Sequence, residues 1–423
     1  MPKIVLTDVC KRFGNFYAVD HLNMTIDDHS FVTLLGPSGC GKTTTLRMIA
    51  GLETPTSGKI EIGDTVVFDS ERGINVPANR RRVGFLFQNY ALWPNMTVYQ
   101  NISFGLKNQK KYTKEQIDEI VARVAHVVKI DMFMDRYPAE LSGGQQQRVA
   151  IARTLAPEPS VIFMDEPLSN LDAKLRLEMR SELQRLHLTT GCTFVYVTHD
   201  QMEAMTLATR ICLIDNGVLQ QYDAPLDVYN RPKTLFVADF VVNPAINFIE
   251  AAGEQAADGT VPLSLLGGQK ATFTPNAPVS VAEWRDAEAK KDADAEAAAT
   301  ALRADKQHVE KANKDTAFRY PIAKVEEDAG SDVDADFVVG VRPEAVKIVE
   351  DGGIEGEIYS AMPTGMETTV RVRIGNFLLI GVVFGGVTYE IGQKVRVVFD
   401  GKGVMLFDRS TGRLVETGSV SLG

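Results

Sequence analysis

Cysteine is scarce in this chain: its 423 residues include only Cys10, Cys40, Cys192 and Cys212. The four form no C-x-x-C pair, and none has a histidine partner close by in the sequence. Zinc sites and disulfide frameworks usually show such groupings, so the sequence predicts neither. Free thiols fit a reducing compartment, and we expect an intracellular protein.

Long apolar runs and an excess of basic charge are also missing. No apolar run approaches the roughly 18–20 residues needed to cross a bilayer, and the opening MPKIVLTDVCKRFG lacks the apolar core of a secretory signal. Lys and Arg number 45 against 55 Asp and Glu, for a net charge of -10. This balance disfavours a general electrostatic grip on DNA or RNA. We expect a soluble, acidic protein whose length allows two or more domains.

Strands and helices alternate over residues 1–235, which we predict to be one α/β domain. The apolar runs FVTLLG, SVIFMDEP and TFVYVTHD are typical of buried parallel strands, whose carboxyl ends carry function. Asp215-Asn216-Gly217 indicates a hairpin turn between two further strands. Residues 99–136 have helical spacing, and we expect a helical subdomain at about 90–157, inserted into the α/β core.

Residues 236–423 have a different texture and are predicted to form a second domain. From Phe337 onward, short strands separated by glycine turns indicate a small all-β barrel. An Ala-, Asp-, Glu- and Lys-rich run at about 281–316 interrupts this region and offers few large apolar anchors, among them Trp284. We interpret the run as an exposed helical or partly disordered insertion in a barrel loop, with a partner-docking arm as the alternative.

The stretch GPSGCGKTT, residues 36–44, follows a predicted strand and opens a predicted helix. In that context it fits a phosphate-binding loop, because glycines let backbone N–H groups close around phosphate oxygens. Lys42 is expected to reach the β- and γ-phosphates, and the Thr43 hydroxyl to ligate Mg²⁺. A glycine-rich turn without a ligand is the alternative.

Polar residues end three more predicted strands. Asp165 is expected to hold Mg²⁺ and Glu166 to polarise the attacking water, since adjacent carboxylates are costly without such a task. A surface acid pair is the alternative for these two. The Gln88 amide could touch Mg²⁺ or the water, or be a plain loop residue, and His199 could be catalytic or structural.

A second glycine-rich stretch, LSGGQQQR at 141–148, also precedes a predicted helix. Its Ser142 hydroxyl and the N–H groups of Gly143 and Gly144 could bind an anion. They could equally form a simple helix N-cap. Each nucleotide motif occurs once in the chain.

Taken in order, the phosphate loop, Gln88, LSGGQ, MDEP (164–167), SNLD (169–172) and TH (198–199) resemble the ATPase subunit of ABC transporters. The resemblance implies an α/β P-loop ABC ATPase domain with an inserted helical subdomain, followed by an OB-like (TOBE) regulatory domain. It implies an ATP hydrolase using Mg²⁺, with ATP held between the phosphate loop of one subunit and the LSGGQ loop of the other. The implied nucleotide contacts are Phe13, Gly36, Pro37, Ser38, Gly39, Cys40, Gly41, Lys42, Thr43, Thr44, Ser142, Gly143, Gly144, Gln145 and Asp172. The implied catalytic residues are Glu166, His199 and Gln88, and the implied Mg²⁺ ligands are Thr43, Gln88 and Asp165.

By the same resemblance, Phe13 would stack on adenine. A packed core aromatic is the alternative for Phe13, and Phe16 and Tyr17 are rival stackers. Gln88 and the following NYALWPNMTV would face a membrane subunit and couple hydrolysis to transport.

The implied partners are a second copy or close paralogue, two transmembrane permease subunits and, through the complex, an extracytoplasmic solute-binding protein. The subunit would lie on the cytoplasmic face of the membrane, without nucleic acid. FVADFVVNPAINFIE, VGVRPEAVKI and FDRSTGRLV resemble the maltose-type carbohydrate importers, with glycerol phosphate, polyamine or iron as alternative solutes. A soluble ABC protein acting on nucleic acid or ribosomes is disfavoured by the single cassette and the lack of heptads. A regulator without turnover is disfavoured by the intact Glu166 and His199.

Overall fold

The computed structural model describes residues 3–241, 243–303, 318–325 and 335–422. These residues form two compact units, the first extending to Pro225 and the second beginning at Leu226. The sequence analysis placed the division ten residues later, at 235/236. No helix in the described ranges is both long and apolar enough to span a membrane.

The first unit contains two β-sheets. Its strands are β1 (Ile4–Phe13), β2 (Phe16–Ile26), β3 (Phe31–Leu35), β4 (Ser57–Ile62), β5 (Thr65–Asp69), β6 (Ile74–Asn75), β7 (Val83–Leu86), β8 (Val161–Asp165), β9 (Thr193–Val197), β10 (Arg210–Asp215) and β11 (Val218–Asp223). One sheet is antiparallel in the order β2-β1-β4-β5-β6, and the other has the order β11-β10-β3-β9-β8-β7. In the second sheet β10, β3, β9, β8 and β7 are parallel neighbours. Every residue of β3, β8 and β9 is buried, as their uninterrupted apolar character predicts.

The hairpin expected at residues 215–217 is present. Strands β10 and β11 pair antiparallel, and the turn residues Asn216 and Gly217 have φ values of 46° and 79°. Positive φ at both central positions is the conformation that an Asn-Gly pair favours in a tight hairpin.

Six α-helices are found in the described part of this unit, besides three short 3-10 helices. They are α1 (Lys42–Ala50), α2 (Val98–Gln109), α3 (Lys114–Val127), α4 (Gly143–Leu155), α5 (Ala173–Thr190) and α6 (Gln201–Leu207). Helices α2, α3 and α4 lie between β7 and β8 in the chain and contribute to one apolar core that includes Ile102, Val121 and Val149. The prediction of a helical subdomain inserted into the α/β core is therefore confirmed.

The second unit is largely β-structure. Its elements are α7 (Pro225–Asn230), α8 (Leu235–Phe240), β12 (Asn247–Ala252), β13 (Val261–Leu265), β14 (Gln269–Pro275), α9 (Val281–Arg303), β15 (Phe337–Val341), β16 (Val346–Val349), β17 (Ile354–Pro363), β18 (Glu367–Ile374), β19 (Phe377–Phe384), β20 (Lys394–Phe399), β21 (Val404–Asp408) and β22 (Leu414–Leu422). A closed barrel has the order β12-β13-β14-β22-β21-β15, and a five-stranded sheet has the order β16-β20-β17-β18-β19. The barrel and this sheet share one apolar core.

The barrel confirms the expected OB-like class but takes its strands from a wider region than the sequence suggested. Half of them, β12 to β14, precede the charged insertion, and β14 pairs with β22 near the end of the chain. Pairings over such separations leave no local trace in the sequence. Local patterns show where strands are, not which strands are neighbours.

Helix α9 occupies the first part of the charged insertion. Val281 is buried and Trp284 packs against the barrel core, while the side chains at 285–287 and 289–294 are exposed. Arg285 forms an ion pair with Asp408 of β21 at 2.7 Å. The expectation of an exposed helix fits residues 285–294, and residues 304–316 lie outside the described ranges.

Candidate nucleotide site

The predicted site residues converge because four parallel strands end at one edge of a sheet. The phosphate loop follows β3, Gln88 follows β7, Glu166 follows β8 and His199 follows β9. These strands are adjacent in the order β3-β9-β8-β7. Function in open α/β sheets is concentrated at such carboxyl ends.

The backbone of the phosphate loop is so close to its surroundings that two positions have room only for glycine. A Cβ atom on Gly36 would lie 2.1 Å from the carbonyl oxygen of Ile214, and one on Gly41 would lie 2.1 Å from that of Ala18. Gly41 also has φ 102°, which L-residues with side chains rarely adopt. Gly39, with φ 81°, lies exposed at the loop with open space around it. This backbone could approach a phosphate without side chains in the way.

Lys42 is a buried cation held by backbone carbonyl groups. It is 5% exposed, and its Nζ donates to the carbonyl oxygens of Gly36 at 2.8 Å and Pro37 at 2.7 Å. Among the described residues, no carboxylate lies within 4.0 Å of this ammonium group. Burying an unpaired charge is costly, so a site of this kind favours an anionic ligand.

Cys40 lies beside that ammonium group. Its Sγ is 3.7 Å from Lys42 Nζ. Burial raises the pKa of the Cys40 thiol, against the opposing effect of Lys42. Cys40 is thus a neutral, buried loop residue, and the side chains of Ser38 and Thr44 are exposed and half-buried respectively.

Two of the three predicted Mg²⁺ ligands, Thr43 and Asp165, are in direct contact. Thr43 Oγ1 donates to Asp165 Oδ1 at 2.8 Å, and Asp165 is 4% exposed. Arg47, one turn further along α1, donates to the other carboxylate oxygen of Asp165 at 3.3 Å. Hydroxyl and carboxylate oxygens side by side are the ligand types that Mg²⁺ prefers.

The other two predicted catalytic residues, Gln88 and His199, both lie next to the Glu166 carboxylate. Its Oε2 lies 3.4 Å from Gln88 Nε2 and 3.5 Å from His199 Nδ1. The backbone of Glu166 has φ 45°, and its N–H donates to Val197 O of β9 at 3.1 Å. A non-glycine residue held at positive φ is uncommon and often occurs at functional sites.

Residues that the sequence analysis did not assign hold this group in place. Ser169 Oγ accepts from Gln88 Nε2 at 3.3 Å and donates to Glu166 O at 2.9 Å. Asn170 Nδ2 donates to Gln88 O at 3.0 Å. Both could have been found from the sequence, because they belong to the SNLD stretch, which follows MDEP after a single residue, Leu168. Arg47 could have been found from its i+4 spacing to Thr43, which places both on one helix face.

A buried carboxyl group anchors the strand end that carries His199. Glu203 of α6 accepts from Thr198 Oγ1 at 2.6 Å and from Tyr196 OH at 2.8 Å. Burial raises the pKa of Glu203 and raises that of Tyr196 well above its usual value. Thr198 directly precedes His199, so these bonds fix the backbone from which the histidine projects.

The LSGGQ stretch begins helix α4 with a reciprocal cap. Ser142 Oγ accepts from Gln145 N at 3.4 Å, and Gln145 Oε1 accepts from Ser142 N at 2.8 Å. Thr97 and Thr113 cap α2 and α3 in the same way. The N-cap interpretation is therefore correct for the isolated chain, while a contact to nucleotide from Ser142, Gly143, Gly144 or Gln145 stays a prediction. Of these four, Gly144 is buried.

The remaining predicted nucleotide contacts are at the surface. Phe13 is 51% exposed and has Lys11 Nζ at 4.7 Å from its ring centroid. This exposure excludes the interpretation of Phe13 as a core aromatic. Phe16 is exposed and Tyr17 half-buried, so the choice among the three stackers stays open. Asp172 caps α5 through a bond from Leu175 N at 3.0 Å.

Known proteins resemble this chain over up to 98% of its length. Residues 19–169 match the family model described as ABC transporter. The trehalose/maltose import ATP-binding protein of Thermococcus litoralis is 38% identical over 423 residues, covering 98% of this chain and 100% of that protein. The xylose/arabinose import ATP-binding protein of Haloferax volcanii is 39% identical, with 98% and 96% covered. The sn-glycerol-3-phosphate import ATP-binding protein of Rhizobium meliloti is 48% identical over 268 residues, covering 63% of this chain and 74% of that protein.

Two relatives that are 38% and 39% identical cover 98% of this chain, which is enough to show its family. The chain belongs to the ABC transporter family, as one of its ATP-binding, ATP-hydrolysing subunits.

Proposed function

We propose that this subunit hydrolyses ATP with Mg²⁺ to energise an importer of carbohydrates. The observation that carries the enzymatic part is the contact between Thr43 and Asp165, next to the unpaired ammonium of Lys42 and the carboxylate of Glu166. The anion site, the oxygen ligands for Mg²⁺ and the candidate general base therefore lie along one edge of the sheet. Phosphoryl transfer to water requires these three groups close together.

The Mg²⁺ ligands would be Thr43 Oγ1 and the Asp165 carboxylate, with the Gln88 amide as a third candidate. The hydrogen bond between Thr43 and Asp165 supports this set, because two hard oxygen ligands are already in contact. Bound Mg²⁺ supplies neutralisation of charge on the phosphate oxygens.

Phosphate binding and activation of the attacking water would fall to four side chains, Lys42, Glu166, Gln88 and His199. Lys42 exchanges its two carbonyl acceptors for β- and γ-phosphate oxygens, a stronger charge-assisted interaction. Glu166 accepts a proton from the attacking water. Gln88 and His199 hold the Glu166 carboxylate from two sides and so orient it, as their distances of 3.4 and 3.5 Å to Oε2 support.

The second glycine-rich loop would complete the site of a partner subunit. Ser142 and Gly143 are exposed at the amino end of α4, where the helix dipole favours an anion. Asp172, also exposed, would lie at the same interface. One copy of each loop per chain then requires two chains, in a dimer of identical or closely related subunits, for two complete sites.

The other proposed partners are two transmembrane permease subunits and an extracytoplasmic solute-binding protein, with this subunit on the cytoplasmic face. Phe87, which precedes Gln88, and Trp93, which lies within the NYALWPNMTV stretch, are both exposed and support a docking role for this region. Carbohydrate is favoured as solute because the two relatives that cover 98% of this chain are named for sugars. Glycerol phosphate is the second candidate, supported by higher identity over 63% of the chain.

Substitution of Glu166 tests the enzymatic proposal. Glu166→Gln should lower the rate of ATP hydrolysis by at least about 10²–10⁴-fold, the range for a positioned acid–base group, with ATP binding retained. Glu158→Gln is the control, because Glu158 is an exposed carboxylate paired with Arg123 on the surface. Near-normal turnover in the Glu166 variant would eliminate Glu166 as the base.

The solute is tested with the assembled complex. The subunit and its copurifying membrane and binding proteins are reconstituted in lipid vesicles, and ATP hydrolysis is measured with candidate solutes. Maltose, trehalose, xylose or arabinose should stimulate hydrolysis, and sn-glycerol 3-phosphate should not. Stimulation by glycerol phosphate alone would reverse the assignment.

A further inference from the structure

A second cluster of possible metal ligands lies between β1 and β2 and shares no residue with the phosphate loop or the proposed Mg²⁺ ligands. Ligand atoms of Cys10, Asp20 and His21 all lie within 4.8 Å of one another. The β1–β2 register is irregular on both sides of Val9, and His21 and Asp8 have φ values of 47° and 51°. Such bulges re-aim side chains, which brings Cys10 and His21 together across eleven residues of sequence.

The ring of His21 is oriented as a metal-binding histidine would be. Its Nδ1 is hydrogen-bonded to Asp8 Oδ1 at 2.6 Å, which leaves Nε2 to face the cluster. Nε2 lies 3.8 Å from Asp20 Oδ1, too far for a hydrogen bond. Two ligands on one tetrahedral Zn²⁺, with bonds of about 2.0 Å, lie roughly 3.3 Å apart, so a small contraction would suffice.

Asp20 supplies an independent sign that a ligand belongs here. It is 2% exposed, and its Oδ2 has no hydrogen-bond partner in the described part of the chain. Its backbone N–H donates to Gly217 O at 2.9 Å, which anchors the residue from the neighbouring hairpin. A buried carboxylate oxygen left without a donor is costly, and a bound cation would remove that cost.

Cys10 completes the donor set. It is 3% exposed, and its Sγ accepts a hydrogen bond from His21 N at 3.2 Å. Sulfur, imidazole nitrogen and carboxylate oxygen together select an ion of the zinc class over Mg²⁺, which avoids sulfur.

We propose that Cys10 Sγ, Asp20 and His21 Nε2 bind a divalent transition-metal ion of the zinc class. Water fills the fourth position, and Asp8 orients the ring of His21 from outside the coordination sphere. The ion joins the two strands whose turn carries Phe13 and Phe16. It therefore stiffens the hairpin that presents these exposed aromatics.

The full-length chain, without a polyhistidine tag and without nucleotide, is titrated with Co²⁺ as an optical substitute for Zn²⁺. Wild type should bind one Co²⁺ per chain with a thiolate-to-cobalt charge-transfer band that Zn²⁺ abolishes. Cys10→Ser should remove the band. Cys192→Ser is the control, because Cys192 is an equally buried thiol that donates to Pro159 O, and it should keep the band.

Two more variants separate ligation from folding. His21 is exposed on one side and its replacement should leave the fold intact, so His21→Gln should weaken Co²⁺ binding at least about tenfold. Asp8→Asn should weaken it by about 10–100-fold, the range for residues that orient a ligand. Zn²⁺ should raise the Tm of wild type but not of Cys10→Ser.

Three results would overturn the proposal: no charge-transfer band in wild type, a band that survives Cys10→Ser, or a band lost equally in Cys192→Ser. If wild type showed no band, the cluster would be a protonated histidine between two carboxylates and not a metal site.

Discussion

The two glycine-rich loops of the first unit, residues 36–44 and 141–148, look alike in sequence but differ in backbone and charge. The first has glycines at positive φ, no room for a Cβ at two of them, and a buried ammonium without a carboxylate partner among the described residues. The second has glycines in helical conformation and a reciprocal cap that satisfies two of its backbone donors, the N–H groups of Ser142 and Gln145. The structure of the first loop favours an anionic ligand, whereas the second loop forms an ordinary capped helix start.

Removal of the unpaired ammonium should have the largest effect. Lys42→Ala removes a charge-assisted interaction worth roughly 1.5–3 kcal/mol per bond, so ATP affinity should fall by at least about tenfold. Equilibrium binding of a fluorescent ATP analogue measures it. Lys59→Ala, which removes an exposed lysine paired with Glu61, is the control and should bind normally. Unchanged affinity in Lys42→Ala would remove the difference between the two loops.

Alanine substitutions compare the two backbones directly. Gly36→Ala should lower the free energy of unfolding by about 2–4 kcal/mol, because the added Cβ meets Ile214 O at 2.1 Å. Gly143→Ala should change it by less than about 0.5 kcal/mol, since the nearest atom to its added Cβ is Leu171 Cδ2 at 3.6 Å. Urea denaturation of both variants measures the difference. Equal destabilisation would show that both backbones are equally constrained.

The cap of the second loop should give the smallest effect. Ser142→Ala removes the hydroxyl that accepts from Gln145 N and should destabilise the protein by about 1 kcal/mol. Thr113→Ala, which removes the same type of cap from α3, is the matched control for stability. Both substitutions should lower the stability of the protein to the same extent, while only Ser142→Ala should also slow ATP hydrolysis. An equal loss of hydrolysis in the two variants would reduce Ser142 to a helix cap.

Local patterns predicted the elements of the nucleotide site well. The apolar runs ending in Asp165 and Thr198 are buried strands, as expected, and their adjacency in a parallel sheet follows from the fold class. The capping role of Ser142 could not be separated from anion binding, because both need the same hydroxyl before a helix. The cluster at Cys10 and His21 could not be predicted from the sequence, because it forms only through two irregularities in the register of its strands. The pairing of β14 with β22, on either side of the insertion, could not be predicted from local sequence patterns either.

The central claim is that the second loop acts on the partner's nucleotide. Gly143→Asp is suited to testing it, because the site has room for a side chain and an acidic residue in the first helical turn is compatible with the helix dipole. Facing the phosphates of a bound nucleotide, the same carboxylate would repel them. The isolated variant should therefore fold normally and hydrolyse ATP poorly.

The most direct measurement is ATP hydrolysis by a mixture of Lys42→Ala and Gly143→Asp chains. If each loop serves the other subunit, a mixed dimer has one site with both defects and one intact site. The mixture should then hydrolyse ATP faster than the sum of its two parents. If both loops served the same subunit, each site of the mixed dimer would have one defect, and activity no greater than that sum would contradict the account.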